Sequence, residues 1–377
     1  MAMNKRNLQV IFKKYIDNFE TLNNSENDET YKWEIAQAFQ KFDVDAPDFA
    51  EMLSQLWKVS SNLIDSSQQL PFYALVDFSR KEPETVREMF RQLYADEHLD
   101  NDAKQKAIVR FIAESEALRM KYHPDSRLYV NNQRSVMMYL FLRYPNSNYG
   151  YKASQAKSFA DCVEFYDDWG PMTDFRLDVF CRMCDQLIEE IKKSEALVAT
   201  HKSRFEETDR ELFPDENYHI LALDIIYTSQ AYNFYGDMSF APINAKARKL
   251  HFERVAKAKE LAAAVEKAKA AADLLTEANA YISSVLGNGA QVKHRAFGDG
   301  AVDGYAKGIL SVFFPKVNET KKIGIAVAIG GGFLMLPSEE ETAKIKEYLP
   351  VISKEEKIPQ NLNNAIAELE PYLEYLD

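Results

Sequence analysis

Residues 245–286 constrain this chain more than any other stretch. They contain neither Gly nor Pro and are rich in Ala, Lys, Glu and Leu, the residues that lose least on becoming helical. Pro242 precedes the run, Asn244 stands at the N-cap position, and Gly287 and Gly289 follow it, as start and stop signals should. The stretch predicts one helix roughly 60 Å long. Within it Leu261, Val265, Ala268, Ala272, Leu275, Asn279, Ile282 and Leu286 repeat at alternating spacings of four and three, an a/d heptad pattern. Such a seam can form a coiled-coil homodimer whose register Asn279 sets. It can equally pack within the chain, against the N-terminal domain or the C-terminal helices.

The helix separates segments of different charge. Residues 1–243 hold 28 basic and 40 acidic residues, residues 244–286 hold 8 and 5, residues 287–337 hold 6 and 3, and residues 338–377 hold 4 and 10. A basic middle thus lies between two acidic ends. This argues against wholesale nucleic-acid binding by the N-terminal part and leaves a local anionic contact to the middle. Three cysteines, an odd number, argue against a disulfide framework and suit a reducing cytoplasm. No apolar leader is evident at the start. The longest apolar run, residues 324–336, is too short and too glycine-rich to span a bilayer. A cytoplasmic protein without membrane contact is expected.

The pattern before the long helix is helical throughout. Leu8, Ile11, Phe12, Tyr15, Ile16, Phe19 and Leu22 share one helical face, and the polar run 23–30 follows as a linker. This first helix is either a docking arm or packed on its own domain, the latter being favoured. Trp33, Ala36 and Phe39 mark a second helix. The alternating acids of Asp43–Asp48 lack the Gly and the closing Glu of a calcium loop, so Asp45 or Asp48 is read as an N-cap. Further helices are expected over 49–62, 83–94, 103–121, 174–193 and 217–234, with an apolar segment over 70–79. The stretch from Tyr122 to Tyr151 interleaves tyrosines with Arg127, Arg134 and Arg143. That mixture can stack and neutralise single-stranded nucleic acid, but in so acidic a domain core packing is the favoured reading. Cys181 and Cys184 form a CxxC inside a predicted helix, where neither a zinc site nor a thioredoxin-like site has its required context.

As a set, "YKWEIAQAFQ", "DVDAPDFAEML", "PETVREMFRQLYADE", "RYPN…YGYKAS" and "ENYHILALDIIY" resemble the helical N-terminal region of McrB-like restriction proteins, over roughly residues 28–234. Those proteins carry such a segment upstream of an AAA-type GTPase. This chain has no G-x-x-x-x-G-K-[ST] loop, so no phosphate cradle is expected. The resemblance implies a restriction or antiphage-defence setting, not an activity.

After the long helix the period changes. Val292, Ala301, Val302, Leu310, Val312, Phe314, Ile323, Ile325, Val327, Phe333 and Leu334 fall in short β-prone runs punctuated by glycines. Five short strands in 287–337 predict a small SH3-like barrel. Gly289, Val292, His294, Phe297, Gly298, Gly300 and Val302 form a G-x-x-V-x-H-x-x-F-G-x-G-x-V pattern. It resembles the tudor-like module of UvrD-type helicases and CarD-type transcription factors. The resemblance implies a protein-docking element, often for RNA polymerase, without chemistry of its own. In this reading Val292 and Phe297 fill the core, and Gly298 and Gly300 take positive φ in the turn.

The expected fold is mainly α. It comprises an N-terminal helix and linker (1–27), an acidic helical domain (28–243), the long helix (244–286), the small barrel (287–337) and C-terminal helices (338–377). The expected role is a non-catalytic adaptor, with no catalytic residue, cofactor or metal. It would dock an AAA NTPase, nuclease or RNA polymerase through Lys293, His294, Arg295, Phe297, Gly298, Gly300 and Tyr305. The alternative is a nucleic-acid-binding regulator using the basic helix and barrel.

Overall fold

The computed structural model describes residues 3–66, 68–206 and 208–376. The chain divides into two units, Met1–Arg248 and Lys249–Asp377. In the first, α1 (Lys5–Asp17), α2 (Phe19–Leu22), α3 (Tyr31–Phe39), α4 (Phe49–Ile64), α5 (Pro71–Lys81) and α6 (Pro83–Leu93) come before α7 (Asn101–Tyr122) and α8 (Gln133–Arg143). Then follow α9 (Ala153–Cys162), α10 (Leu177–Lys193), α11 (Glu195–Ser203) and α12 (His219–Ala231).

Two of these helices are buried on nearly every side. In α8 every residue from Val136 to Leu142 is buried, and α12 is buried from Ile220 to Ile226. A helix apolar all round belongs in an interior, and α1, α6 and α10 each bury one amphipathic face in the same core. Asp48 caps α4 by accepting from the Glu51 N–H at 2.9 Å, which settles the acidic run of residues 43–48 as a helix start. The N-terminal segment, set apart in the sequence reading, belongs to the same core. Leu8, Ile11, Phe12, Tyr15 and Leu22 are buried in it, and Asn7 Nδ2 donates to the Cys162 carbonyl at 2.7 Å.

Most of the basic and aromatic residues of 122–152 are engaged in this packing, while Arg127 is exposed. Tyr139, Tyr149 and Tyr151 are buried. Arg134 donates to the Ile64 carbonyl and Lys152 to the Leu63 carbonyl. These are last-turn carbonyls of α4, which have no partner inside their helix and carry its negative dipole end. The two side chains therefore cap α4; they do not form an open nucleic-acid surface.

The second unit holds most of α13 (Ala245–Val285), a sheet and three further α-helices. β1 (Gln291–His294), β2 (Gly298–Ala306), β3 (Ile309–Phe314) and β4 (Glu319–Gly324) form an antiparallel meander. After α14 (Ile325–Gly330), β5 (Leu334–Met335) returns to pair with β1. The strand order is β4-β3-β2-β1-β5, a small curled sheet. Next come α15 (Glu339–Ile352), α16 (Lys357–Leu369) and a 3-10 turn (Glu370–Tyr375). Ser338 caps α15 by accepting from the Glu341 N–H. Leu275, Ala278, Ile282 and Leu286 share one core with Val292, Val302, Val312 and Phe314 of the sheet and Ile345 and Ile352 of α15.

Three expectations for the sheet need correcting. Ile325 and Val327, read as strand, lie in α14. Ile325, Ala328 and Ile329 are buried there while Val327 is exposed; this i, i+3, i+4 burial overrides β-branched propensity. Phe297 is half-buried, not in the core, because it sits on the hairpin turn; the core aromatic is Phe314, fully buried. Gly298 has φ +77°, as expected, but Gly300 does not have positive φ. Gly300 is needed for space: a Cβ there would lie 2.7 Å from the Phe314 ring and 2.8 Å from Val312 Cγ1.

Candidate functional site

The sheet has one covered end and one open end. At the covered end the Tyr305 hydroxyl donates to Asn279 Oδ1 at 2.5 Å, and Asn279 Nδ2 donates to Glu355 Oε1 at 3.0 Å. The β2–β3 turn also lies there, with Gly308 against Ile352. Helix α13 and the end of α15 therefore close that end.

Three loops meet at the open end. Residues 295–297 link β1 to β2 and close on Gly298 in the left-handed region, a common three-residue hairpin geometry. The Ala296 N–H donates to His294 Nδ1 at 3.2 Å. The Arg295 N–H donates to the Phe333 carbonyl at 2.9 Å, which ties in the segment before β5. Lys316, from the β3–β4 turn, lies alongside Gly298. The His294 ring stacks on Phe297 with centroids 4.6 Å apart, and Phe297 leans on Phe314 at 5.3 Å. Arg295 stands 5.9 Å over the Phe333 ring and Lys321 5.9 Å over Phe297. Phe333 is 47% exposed. Lys321 pairs with Glu319. Among the described residues, Lys293, Arg295 and Lys316 have no acidic partner.

Of the seven residues expected to form this site, His294, Arg295, Phe297 and Gly298 come together. Lys293 is next to them on the outer sheet face, paired in register with Asp299 on one side and Met335 on the other. Gly300 lies buried beneath, and Tyr305 is at the covered end. Lys316, Lys321 and Phe333 were not anticipated. Phe333 was read only as part of a β-prone run; strand pairing brings it to Arg295, Lys316 to Gly298 and Lys321 to Phe297.

The heptad seam has intrachain neighbours. Leu275, Ile282 and Leu286 pack on the sheet, and both ends of the Asn279 amide are engaged. Leu261 is buried and Val265 half-buried.

The first unit contains a buried polar network with no sequence signature. Lys32 bridges Glu29 and Asp224. Tyr15 donates to Asp224 at 2.5 Å, Tyr232 donates to Glu29 at 2.6 Å, and Arg204 donates to Thr30 at 2.7 Å and to the Tyr15 hydroxyl at 2.9 Å. The Arg204 guanidinium lies 3.8 Å over Trp33. Burial opposes the Lys32 charge, but Asp224 and Glu29 outweigh it and raise the ammonium pKa. Nearby, Asp215 accepts from the Ile220 and Leu221 N–H groups, capping α12, and from Trp33 Nε1. Burial pushes its carboxyl up to about 7. Burial, helped by Arg204, lowers His201 to about 4. The three cysteines are buried and free. Burial raises all three thiols, Cys162 and Cys181 to about 12, which makes them poor nucleophiles.

His201 sets a testable acid sensitivity. Its folded pKa lies below the unfolded value, so the native state binds fewer protons between about pH 4 and 6.5. Stability is therefore lost as pH falls through that window. Asp215 acts oppositely, so the His201 part is isolated by comparing wild type with His201→Phe, which keeps a ring beside Trp33, Phe205 and Tyr218. Wild type should lose up to about 3 kcal/mol relative to the variant between pH 6.5 and 4 in urea titrations. A difference that does not change with pH would refute this.

Compared with known proteins, the chain matches no family model, no curated protein and no solved structure.

Proposed function

We propose that the chain is a non-catalytic adaptor whose sheet docks a protein partner through its open end. The observation that carries this reading is the gathering of unpaired Arg295 and Lys316 with exposed Phe333 and half-buried Phe297, at the end that the helices leave uncovered. Aromatic and Arg side chains of this kind anchor interfaces, and the cations select an acidic surface. The four-strand meander, the helical turn and a fifth strand returning to the first support assigning the sheet to the SH3/tudor-like class. The reactive groups elsewhere favour a role without chemistry: the thiols are buried with raised pKa values, and the ionised network of Lys32 and Asp224 is satisfied within the core. The resemblance of residues 28–234 to McrB-like proteins is what supports a setting in prokaryotic restriction or antiphage defence, in the cytoplasm, beside a separate AAA NTPase or nuclease.

The same cations and rings also fit single-stranded nucleic acid. The two readings separate on salt, because phosphate contacts weaken steeply between about 50 and 200 mM. The test is affinity capture from native lysate with wild type and Arg295→Glu/Lys316→Glu, the fold of each checked by circular dichroism. Wild type should retrieve an NTPase or nuclease that the folded variant does not. Identical retrieval by both would remove the open end as the docking surface.

A further inference from the structure

We propose that the open end of the sheet also takes the acidic segment 366–376 of a second copy of this chain, giving an antiparallel dimer. The observation is a second unpartnered surface in the same unit, complementary to the first. Ile366 is 50% and Leu373 52% exposed, and Leu376 is exposed beside them. Glu368, Glu370 and Glu374 are exposed on the same stretch, and none has a basic partner among the described residues. A short segment carrying three exposed apolar side chains and three free carboxylates thus matches a surface of aromatic rings edged by free cations.

Geometry makes the contact one between copies. Arg254 donates to the Tyr375 hydroxyl at 2.7 Å, and the His251 ring lies 5.7 Å from Tyr375. This pins the acidic segment near the start of α13. The sheet packs on residues 275–286 near its other end. At ~1.5 Å per residue the two positions lie roughly 35–45 Å apart along the helix, so the segment does not reach the open end of its own sheet. Two chains with α13 antiparallel bring each segment to the other's sheet. The spacing is the same in both copies, so two equal contacts form together and the assembly closes as a two-fold dimer.

The dimer uses the same surface as the proposed docking, but its test needs no partner. Purified wild type should sediment as a dimer at about 100 μM in low salt and shift toward monomer at about 0.5 M salt, as surface charge pairs are screened. Arg295→Glu/Lys316→Glu alone, and Glu370→Lys/Glu374→Lys alone, should each weaken association at least tenfold. Mixing these two variants should restore a dimer, because each acidic or basic surface then meets its opposite in both contacts. Wild type that stays monomeric overturns the proposal. So do variants that dimerise like wild type, or a mixture that fails to re-associate while both components are folded.

Discussion

Asp224→Ala is expected to destabilise the first unit by about 3–5 kcal/mol, the cost of breaking a buried ion pair from one side. Asp224 is fully buried, holds Lys32, accepts from Tyr15 and lies 3.8 Å from Arg204. Its removal leaves Lys32 with Glu29 as its remaining ion-pair partner and takes the 3.8 Å carboxylate from Arg204. Typical domains hold only about 5–15 kcal/mol in reserve, so the loss should be plain in a denaturant titration. All three tryptophans, Trp33, Trp57 and Trp169, lie in this unit, so their fluorescence reads it directly. Asp224→Asn keeps two polar atoms in place and should cost less. Lys32→Met with Asp224→Leu should cost less than the two single changes added, because residues in one network couple. A loss below about 1 kcal/mol for Asp224→Ala would mean that water or rearrangement compensates the network.

Gly300→Val should destabilise the second unit by about 3 kcal/mol. The new Cβ enters a space already held by the Phe314 ring and Val312, both fully buried. These are core side chains packed from the far side, not flexible ends that swing away. Gly300→Ala should show a smaller loss of the same sign. Phe297→Ala should cost only about 1–2 kcal/mol, since the ring is half-exposed and contributes chiefly its stack on His294. Hydrogen exchange at the amides of β1 to β3 reads all three. If Phe297→Ala proves worse than Gly300→Val, the core of the sheet is organised around the hairpin turn and not around Phe314.

Much of the helical architecture was legible because helices are local. The Gly- and Pro-free run of α13, the Pro at the start of α6, and the Asp48 and Ser338 caps are signals written within a few residues of where they act. The position of the sheet was likewise legible from the glycines around residues 287–337. What was not legible depends on which strands and helices meet. Gly300 reads like any turn glycine until β3 places Phe314 against it. Ile325 to Ile329 read as strand until a core on one side selects helical burial. Phe297 looks like a core aromatic until the hairpin puts it at an open end. The network of Lys32, Glu29, Asp224 and Arg204 includes a bond between residues 192 positions apart, and no spacing announces it. The gathering of Arg295, Lys316 and Phe333 follows the same rule. Local sequence determined most of the longer helices and the position of the meander. Tertiary packing decided which charges are buried, which end of the sheet is covered, and therefore which side chains are left to bind, because these depend on pairings between segments that one-dimensional patterns do not encode.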